Sequence, residues 1–284
     1  MTGVLIVDKP VGPTSHDVVA SLRKKLKTRA VGHAGTLDPR ASGVLVVCVD
    51  EATKLVPWLT ASDKEYLVTI RLGESTPTLD AGSPVDGTKM VPASWTTTLA
   101  AAVARELART EQIPPIYSAI HKNGVRAHEL ARRGEEVILD PRKVTLHSLE
   151  ILALRERDPD ARVVCAKGYY VRSLARDLAS ELGTLGHVTA LRRVRSGGFT
   201  LADVSDAPLP LAVAAKRALP TATLDDEGVT RARVGKVVLG TSLVPFAAGP
   251  HAWLDAAGTL VAIGEREAEG DGARVIRGFV APAA

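Results

Sequence analysis

The sequence has few of the features that mark membrane, secreted or metal-binding proteins. Its longest strongly apolar run, residues 44–49, is far shorter than the roughly 20 residues that a membrane-spanning helix needs. The N-terminus has no basic segment with a following cleavage site, so no secretory signal is predicted. The two cysteines, Cys48 and Cys165, lie in apolar stretches, where a free thiol packs as a small core residue. These absences predict a protein of the reducing cytoplasm without a membrane partner.

Several common catalytic motifs are also missing. No segment fits the phosphate-binding pattern G-x-x-x-x-G-K-[ST], and no G-x-S-x-G nucleophile turn occurs. The seven histidines form no H-E-x-x-H, and the two cysteines are too far apart in sequence for a zinc motif. These absences argue against nucleotide triphosphate, zinc and serine-hydrolase chemistry.

The charge that is present is clustered. Of 284 residues 45% are hydrophobic, and 36 Lys and Arg stand against 32 Asp and Glu, for a formal net charge of +4. Basic side chains gather at residues 23–29, 132–133 and 192–195. Such clusters are compatible with an anionic polymer whose phosphates they are expected to follow, although a solvated helix face gives the same pattern.

The hydrophobic pattern predicts a mixed α and β protein in two parts. Residues 4–7, 44–49 and 67–72 are typical of buried strands, and residues 171–182 have the spacing of a helix that ends at Gly183. After about residue 215 short apolar strands alternate with Gly and Asp turns, which indicates a small all-β module. Residues 203–224 are the expected junction.

Arg172 is a charge that its predicted helix does not favour. It lies in the first turn, where the helix dipole disfavours a cation, and Arg176 repeats the charge four residues later. We therefore expect an acidic side chain from elsewhere in the fold to pair with Arg172.

Candidate functional residues lie in loops. The glycine-punctuated loop 31–43 carries His33 and Asp38 into an apolar strand, although an Asp-Pro pair by itself is more typical of a turn. Of only four tyrosines, Tyr66, Tyr117 and Tyr170 lie in distinctive segments near loops and basic residues. That placement suits stacking on nucleic-acid bases, and core packing is the alternative for each ring.

Taken together, these segments resemble the TruB family of bacterial tRNA pseudouridine-55 synthases. The matches follow one order from residue 3 to about residue 200 and comprise Gly3-Val4-Leu5-Ile6-Val7-Asp8-Lys9-Pro10, Gly32-His33-Ala34-Gly35-Thr36-Leu37-Asp38-Pro39, Lys64-Glu65-Tyr66, Thr76-Pro77-Thr78-Leu79-Asp80-Ala81-Gly82, Pro114-Pro115-Ile116-Tyr117-Ser118-Ala119, Lys167-Gly168 with Tyr170-Val171-Arg172, and Leu191-Arg192-Arg193.

The resemblance implies an α+β fold: a mixed, largely antiparallel sheet with peripheral helices in a catalytic domain, residues 1–215, and a β-barrel-like PUA-type RNA-binding domain, residues 222–284. It implies a cytoplasmic, monomeric enzyme that converts uridine 55 in the T loop of tRNA to pseudouridine without cofactor or metal. The family's catalytic residues fall on Asp38, Tyr66 and Arg172, and its substrate contacts on Lys9, His33, Asp80, Tyr170 and Leu191. Because Tyr169 precedes Tyr170, which of the two rings meets the base stays open.

The reaction explains why these residue types suit the site. The bond from ribose C1′ to uracil N1 breaks and a bond to C5 forms, with no redox step. An ionised carboxylate on Asp38 could attack C1′, attack C6 or take a sugar proton, and the sequence does not choose among these routes. A dry pocket would favour the protonated acid. We expect Arg172 to reverse that tendency and Asp80 to hold its other side.

The target base must leave its stack before the carboxylate can reach it, which costs a few kcal/mol. Tyr66 is expected to stack on the extruded base and to help move the proton from C5. His33 is expected to fill the vacated space, with loop stabilisation as the alternative. Two other functions remain open: a protein that mainly binds and refolds tRNA, and the related guide-RNA-directed synthase that works inside a ribonucleoprotein.

Overall fold

The computed structural model of the protein describes residues 2–122, 124–245 and 247–280. In chain order its strands are β1 (Gly3–Lys9), β2 (Val31–His33), β3 (Ala41–Val49), β4 (Lys64–Leu72), β5 (Glu74–Ser75), β6 (Gly87–Thr88), β7 (Glu111–Gln112), β8 (His121–Lys122), β9 (Val125–Arg126), β10 (Arg142–Lys143), β11 (Leu146–Arg155), β12 (Asp158–Cys165), β13 (Gly186–Ser196), β14 (Phe199–Thr200), β15 (Thr221–Leu224), β16 (Val238–Leu239), β17 (Leu243–Val244), β18 (Pro250–Leu254), β19 (Leu260–Arg266) and β20 (Gly272–Gly278).

The α-helices are α1 (Ser15–Leu26), α2 (Val56–Ala61), α3 (Trp95–Ala108), α4 (Ala127–Arg132), α5 (Val171–Glu181), α6 (Leu211–Ala218) and α7 (Asp226–Arg233). Short 3-10 helices cover Asp50–Leu55, Leu201–Asp203 and Gly240–Ser242. None of the helices in the described ranges is long and apolar enough to cross a membrane.

The larger sheet has the order β1-β3-β13-β4-β12-β11, with β2 beside β3 and β14 beside β13. Its pairings are antiparallel except for β13 with β3, which run parallel. This confirms the expected mixed, largely antiparallel sheet. In the parallel pair Leu191 lies opposite Ala41. The start of β3 is thereby placed beside the middle of β13, which positions the loop before β3.

Helices cover the sheet through their apolar faces. Helices α3 and α5 pack on it around Leu99, Leu174 and Leu178, all at most 5% exposed. Helix α5 confirms the predicted amphipathic segment, and the positive φ of Gly183 (+77°) follows its last turn, a conformation that glycine adopts without strain. Helix α1 begins at a capping box between Thr14 and Asp17.

The second sheet has the order β16-β20-β19-β18-β15-β17 and curls into a nearly closed barrel-like form, so the expected C-terminal β structure is confirmed. Its core contains the fully buried Trp253, and a Cβ on Gly264 would lie 2.2 Å from the Trp253 ring, so that position needs glycine. One expectation was wrong: the module is not all β, because it contains a helix, α7, capped by Asp225. The expected junction contains α6, whose Ala214 and Ala215 are buried in the core beneath β1.

Candidate active site

Asp38 lies in a turn that hydrogen bonds hold on both sides. The Ala41 N–H donates to the Asp38 carbonyl (3.0 Å), and the Gly12 N–H donates to the Pro39 carbonyl (2.8 Å). The buried Ser15 hydroxyl accepts from the Leu37 N–H (2.9 Å) and donates to the Leu37 carbonyl (3.1 Å). Because the backbone is fixed before and after Asp38, its carboxylate occupies a defined place just before the first residue of β3.

Arg172 joins three segments of the chain at this carboxylate. Its Nε lies 2.8 Å from Asp38 Oδ2, while Nη1 donates to the Thr78 carbonyl (2.7 Å) and Nη2 to the Tyr117 carbonyl (3.0 Å). The side chain is 5% exposed. The planar guanidinium presents its donors in fixed directions, so it can hold all three partners at once. The acidic partner expected for Arg172 is therefore confirmed as Asp38.

Asp80 approaches the same guanidinium from another loop. Its Oδ2 lies 4.0 Å from Arg172 Nε. Its Oδ1 accepts from the Thr78 hydroxyl (2.7 Å) and the Gly82 N–H (2.8 Å). A Cβ on Gly82 would lie 2.7 Å from Asp80 Oδ1, so the carboxylate fits only against glycine. The expected network of two aspartates around Arg172 is confirmed.

The electrostatic balance at Asp38 differs from the expectation. Burial raises the pKa of this carboxyl, the Arg172 guanidinium lowers it and the Asp80 carboxylate raises it again, with a net rise. Arg172 therefore opposes the effect of burial and does not reverse it. The Asp38 side chain is also 36% exposed, so the site is not dry until something covers it.

Tyr66 projects from β4 between two hydrophobic clusters, one under α5 and one under α1. Burial raises the pKa of its phenol, and the Arg193 guanidinium nearby lowers it. The charge of Asp38 also reaches the phenol. The structure thus brings Tyr66 close to the candidate acid.

Arg193 was missed as a site residue, because the basic cluster 192–195 was expected to face phosphates. Its side chain is fully buried, and Nε donates to the Val44 carbonyl (2.7 Å) while Nη2 donates to the Gly35 carbonyl (3.0 Å). It therefore braces the loop before Asp38. The alternation of side chains along a strand could have revealed its burial, since Leu191 and Arg193 share one face of β13.

The other members of that cluster are paired with carboxylates. Arg192 Nη2 lies 2.7 Å from Asp8 Oδ2, and Arg195 Nε lies 3.1 Å from Glu65 Oε2. The expectation that residues 192–195 follow phosphates is therefore corrected: one guanidinium is buried and two are ion-paired. The cluster 23–29, in contrast, is largely exposed.

Of the two neighbouring tyrosines, Tyr170 is the one on whose phenol the charge of Asp38 acts. Tyr169 is 9% exposed and packs in the core under α3 and α5. Tyr170 is half-buried, and its backbone N–H donates to Gln112 Oε1 (3.0 Å). Burial raises the pKa of its phenol, and the charges of Arg172 and Asp38 act on it as well.

Lys9 and His33 lie close to the site without lining its cavity. Lys9 is fully buried, and its Nζ donates to the carbonyls of Pro10 and Pro13 (both 2.8 Å). His33 lies on β2 with its ring edge-to-face on His16 at 5.4 Å. Burial lowers the pKa of His33, which keeps this imidazole neutral.

A cavity beside the Asp38 carboxylate brings four of the eight predicted residues together, Asp38, Asp80, Arg172 and Leu191, while Lys9, His33, Tyr66 and Tyr170 do not line it. It is lined by Asp38, Arg40, Ala41, Asp80, Arg172, Val188, Thr189 and Leu191. In the described ranges, no group of three or more His, Cys, Asp or Glu side chains has the geometry to hold a metal ion. The arrangement offers a carboxylate that can act as nucleophile or base, a guanidinium that stabilises its charge, and two phenols, Tyr66 and Tyr170, on which the charge of Asp38 acts.

Two family models match consecutive parts of the chain. Residues 23–171 match the model described as TruB family pseudouridylate synthase, N terminal domain, and residues 172–222 match the model described as tRNA pseudouridylate synthase B C-terminal domain. Curated proteins named tRNA pseudouridine synthase B are similar over most of their length. The protein from Cutibacterium acnes is 43% identical over 83% of this chain and 84% of its own, and that from Arthrobacter sp. is 41% identical over 93% and 92%. The Mycobacterium tuberculosis protein is 49% identical over 70% and 68%.

Solved structures share the fold. A chain in the crystal structure of a Cbf5-Nop10-Gar1 complex has a TM-score of 0.76 at 26% identity, covering 98% of this chain and 85% of its own. A chain in the structure of an H/ACA RNP bound to a substrate RNA containing 2′-deoxyuridine has a TM-score of 0.71 at 25% identity, covering 99% and 86%.

Proposed function

The chain belongs to the TruB family of pseudouridylate synthases, and from that membership we propose that it converts uridine 55 in the T loop of tRNA to pseudouridine with Asp38 as its catalytic carboxylate. It is an enzyme that isomerises uridine in tRNA. The observation that supports Asp38 as the catalytic carboxylate is its ion pair with the buried Arg172, at 2.8 Å, in the wall of a cavity. A carboxylate that is fixed in place and paired with a guanidinium in this way suits a reaction that needs an ionised acid next to the uracil ring.

Asp38 acts on the nucleotide in its ionised form. The reaction moves uracil from an N1 to a C5 bond with ribose C1′, and Asp38 supports it by attacking C1′, attacking C6 or removing a sugar proton. Arg172 stabilises the charged carboxylate, and Asp80 holds the far side of the guanidinium. Water leaves when the base covers Asp38, and the ion pair then strengthens because the local dielectric falls.

The two phenols act on the base itself. Stacking of Tyr66 on the extruded uracil contributes about 1–3 kcal/mol, which offsets the unstacking in the RNA. Its hydroxyl then helps to move the proton that leaves C5 once the new bond has formed. Tyr170 and Leu191 contact the sides of the base. The charges of Asp38 and Arg172 act on the Tyr170 phenol, and Leu191 lines the cavity.

The remaining substrate contacts are indirect. His33 fills the space that the flipped-out uridine leaves, for which a neutral imidazole in contact with His16 is suited. Lys9 supports the loop 10–13, which in turn bonds the turn after Asp38 through Gly12 and Pro39. Lys9 is therefore a positioning residue for that turn.

RNA outside the cavity meets the exposed basic segment 23–29, whose affinity falls as salt is added. The division into a catalytic domain, residues 1–215, and a PUA-like RNA-binding domain, residues 222–284, is part of the same proposal, as are a monomeric state and a cytoplasmic location. The second sheet, which begins at β15, supports this division.

The test uses the purified full chain with a synthetic T stem-loop and no other protein or RNA. We expect pseudouridine at the position of uridine 55 and at no other uridine of the stem-loop, read by chemical modification and reverse transcription. Asp38→Asn is the matched variant, because it keeps the size of the side chain: it should bind the RNA and form no pseudouridine. Modification at another position, or full activity of Asp38→Asn, would contradict the proposal.

The same experiment separates the other two functions. The similar solved structures come from Cbf5-Nop10-Gar1 and H/ACA RNP assemblies, so a requirement for a guide RNA or a partner protein would favour a ribonucleoprotein enzyme. Binding without turnover by the unaltered chain would favour a tRNA-folding protein. Maps of modified uridines in cellular tRNA, with and without the gene, then show whether position 55 is the target in the cell.

A further inference from the structure

Arg40 is a charged side chain at the mouth of the cavity that the mechanism above does not use. It follows Asp38 by two residues and lines the cavity together with Asp38, Asp80 and Arg172. The hydrogen bonds from Ala41 to Asp38 (3.0 Å) and from Gly12 to Pro39 (2.8 Å) fix the turn that carries it. The backbone position of Arg40 is therefore set by the same turn that places the catalytic carboxylate.

Arg40 is an exposed residue. Among residues 2–122, 124–245 and 247–280, no hydrogen bond or ion pair engages it, whereas Arg172 is bound to Asp38 and Arg192 to Asp8. Its side-chain stem passes beside Gly82, where an added Cβ would lie 3.5 Å from Arg40 Cγ. A cation held in this way at the rim has its N–H donors available for an external anion.

The substrate brings such an anion to this rim. A uridine that enters the cavity base-first leaves its ribose at the mouth, with a phosphate on either side. The Asp38 and Asp80 carboxylates repel those phosphates, and they share the single positive charge of Arg172. A guanidinium binds phosphate oxygens in a bidentate manner, so a second arginine at the mouth compensates for this repulsion.

We propose that Arg40 binds a phosphodiester that flanks the flipped-out uridine and so holds the target nucleotide over Asp38. This inference rests on the proposed function, because it requires that the base occupies the cavity. It adds a phosphate-binding site to the active site and gives the Asp38 turn two tasks, since one turn then contacts both the reacting nucleotide and its backbone.

The first test measures binding of a tRNA transcript by the full chain at several salt concentrations. We expect Arg40→Gln to weaken binding about tenfold near 0.1 M salt, because one charged hydrogen-bonded contact is lost. The slope of log affinity against log salt should fall by about 0.7–0.9, the value of one phosphate contact. Arg40→Lys should retain the slope, since it keeps the charge. A slope for Arg40→Gln equal to that of the unaltered protein would overturn the inference.

Arg105→Gln is the matched control, since it makes the same chemical change at an exposed arginine elsewhere. Arg105 Nε lies 2.5 Å from Glu181 Oε2 at the end of α5, about 14 Å along the helix from Arg172. Its charge is already paired, so we expect its slope to match that of the unaltered protein. A loss of slope equal to that of Arg40→Gln would show a general charge effect and would count against a specific site.

The second test identifies the phosphate. Stem-loops are made with a neutral methylphosphonate, next to a 2′-O-methyl sugar, on the 5′ or the 3′ side of the target uridine. Each is compared with a stem-loop that has the same 2′-O-methyl sugar and an ordinary charged phosphate at that position. If Arg40 binds one of these phosphates, neutralising it should weaken binding by the unaltered chain and leave Arg40→Gln unaffected. If the loss of affinity from the neutral phosphate and the loss from Arg40→Gln simply add, on the 5′ side and on the 3′ side alike, the inference is overturned.

The two proposals can fail separately. Pseudouridine formation by the unaltered chain is measured on the tRNA transcript and on the stem-loop without chemical modification, and its absence there would contradict the proposed function. If pseudouridine forms while Arg40→Gln shows neither the change in slope nor the coupling, only the phosphate site at Arg40 is rejected.

Discussion

Replacement of Arg172 tests the ion pair on which the proposed chemistry depends. The side chain is 5% exposed and makes three contacts of 2.7–3.0 Å, one with Asp38 and two with the carbonyls of Thr78 and Tyr117. Arg172→Met removes all three, while Arg172→Lys keeps the charge and loses the fixed geometry of the guanidinium. Both variants leave the exposed surface almost unchanged, so their effect should fall on turnover.

The magnitude follows from these contacts. A hydrogen bond to a charged group contributes about 1.5–3 kcal/mol, and the lower part of this range applies because the Asp38 side chain is 36% exposed. Each carbonyl contact adds about 1 kcal/mol of positioning. The sum of about 3–4 kcal/mol corresponds to a loss of roughly 10²–10³ in the rate of the chemical step for Arg172→Met. We expect about tenfold to a hundredfold for Arg172→Lys, and less than about a threefold change in RNA affinity for either.

The assay is the single-turnover release of tritium from tRNA labelled at uracil C5, since the new bond displaces that hydrogen. Affinity is measured separately by filter binding. The pH dependence of the rate gives an independent check, because the direction of its shift is predicted. In the mechanism that we propose, Asp38 acts in its ionised form, and Arg172 lowers the pKa of that carboxyl. In Arg172→Met the rate should therefore fall at a higher pH than in the unaltered protein as the solution is made acidic.

Equal losses of turnover and affinity would refute this reasoning, because they would show that Arg172 mainly binds RNA. A fall in the rate of Arg172→Met at the same pH as in the unaltered protein, or at a lower pH, would also refute it, since the guanidinium would then not be what keeps Asp38 ionised. Loss of a buried pairing partner can destabilise a fold by about 3–5 kcal/mol, so thermal unfolding of each variant is recorded first. Arg172→Lys remains informative if Arg172→Met does not fold.

Two further predictions concern neighbouring positions. Tyr66→Phe keeps the stacking surface and should slow isomerisation at least about tenfold if the hydroxyl moves the C5 proton, so an intact single-turnover rate would leave stacking as its sole role. Gly43→Ala should destabilise the fold by about 2–4 kcal/mol, because Gly43 has φ +103° and a Cβ there would lie 2.1 Å from the Arg193 carbonyl oxygen. Gly32→Ala, where nothing lies within 4 Å of the added Cβ, is the control and should change the melting temperature little; equal destabilisation would contradict the account of Gly43.

The sequence predicted local elements where one pattern dominated. The segment 171–182 repeats apolar residues at helical spacing and ends at glycine, and it forms α5 as expected. Residues 44–49 are a continuous apolar run, and they form the buried part of β3. Helices α6 and α7 were missed. Both are eight residues long, and one lies in a segment with several prolines, so neither gives a long helical period.

Burial of charged side chains is what the sequence did not reveal at the site. Lys9 was expected to contact the substrate and Arg193 to face phosphate, because lysine and arginine are usually exposed. Both are fully buried, and their donors are taken up by backbone carbonyls of loops around Asp38. Which basic residues support loops and which face the RNA depends on how strands pair across the sheet, and a linear pattern does not contain that information.

The sequence by itself determined the chemistry that is available: an aspartate in a glycine-rich loop, an arginine in an unfavourable first turn of a helix, and scarce tyrosines near loops. Even the pairing of Arg172 with an acid followed from the helix dipole and the like charge at Arg176. Only the tertiary structure decided which groups meet. Asp38, Asp80 and Arg172 are distant in sequence, and parallel pairing of β13 with β3 together with the packing of α5 brings both carboxylates to within 4.0 Å of Arg172 Nε. The strength of each charge depends on the burial that results, since the cost of removing a carboxylate from water is set by its complete surroundings and not by its neighbours along the chain.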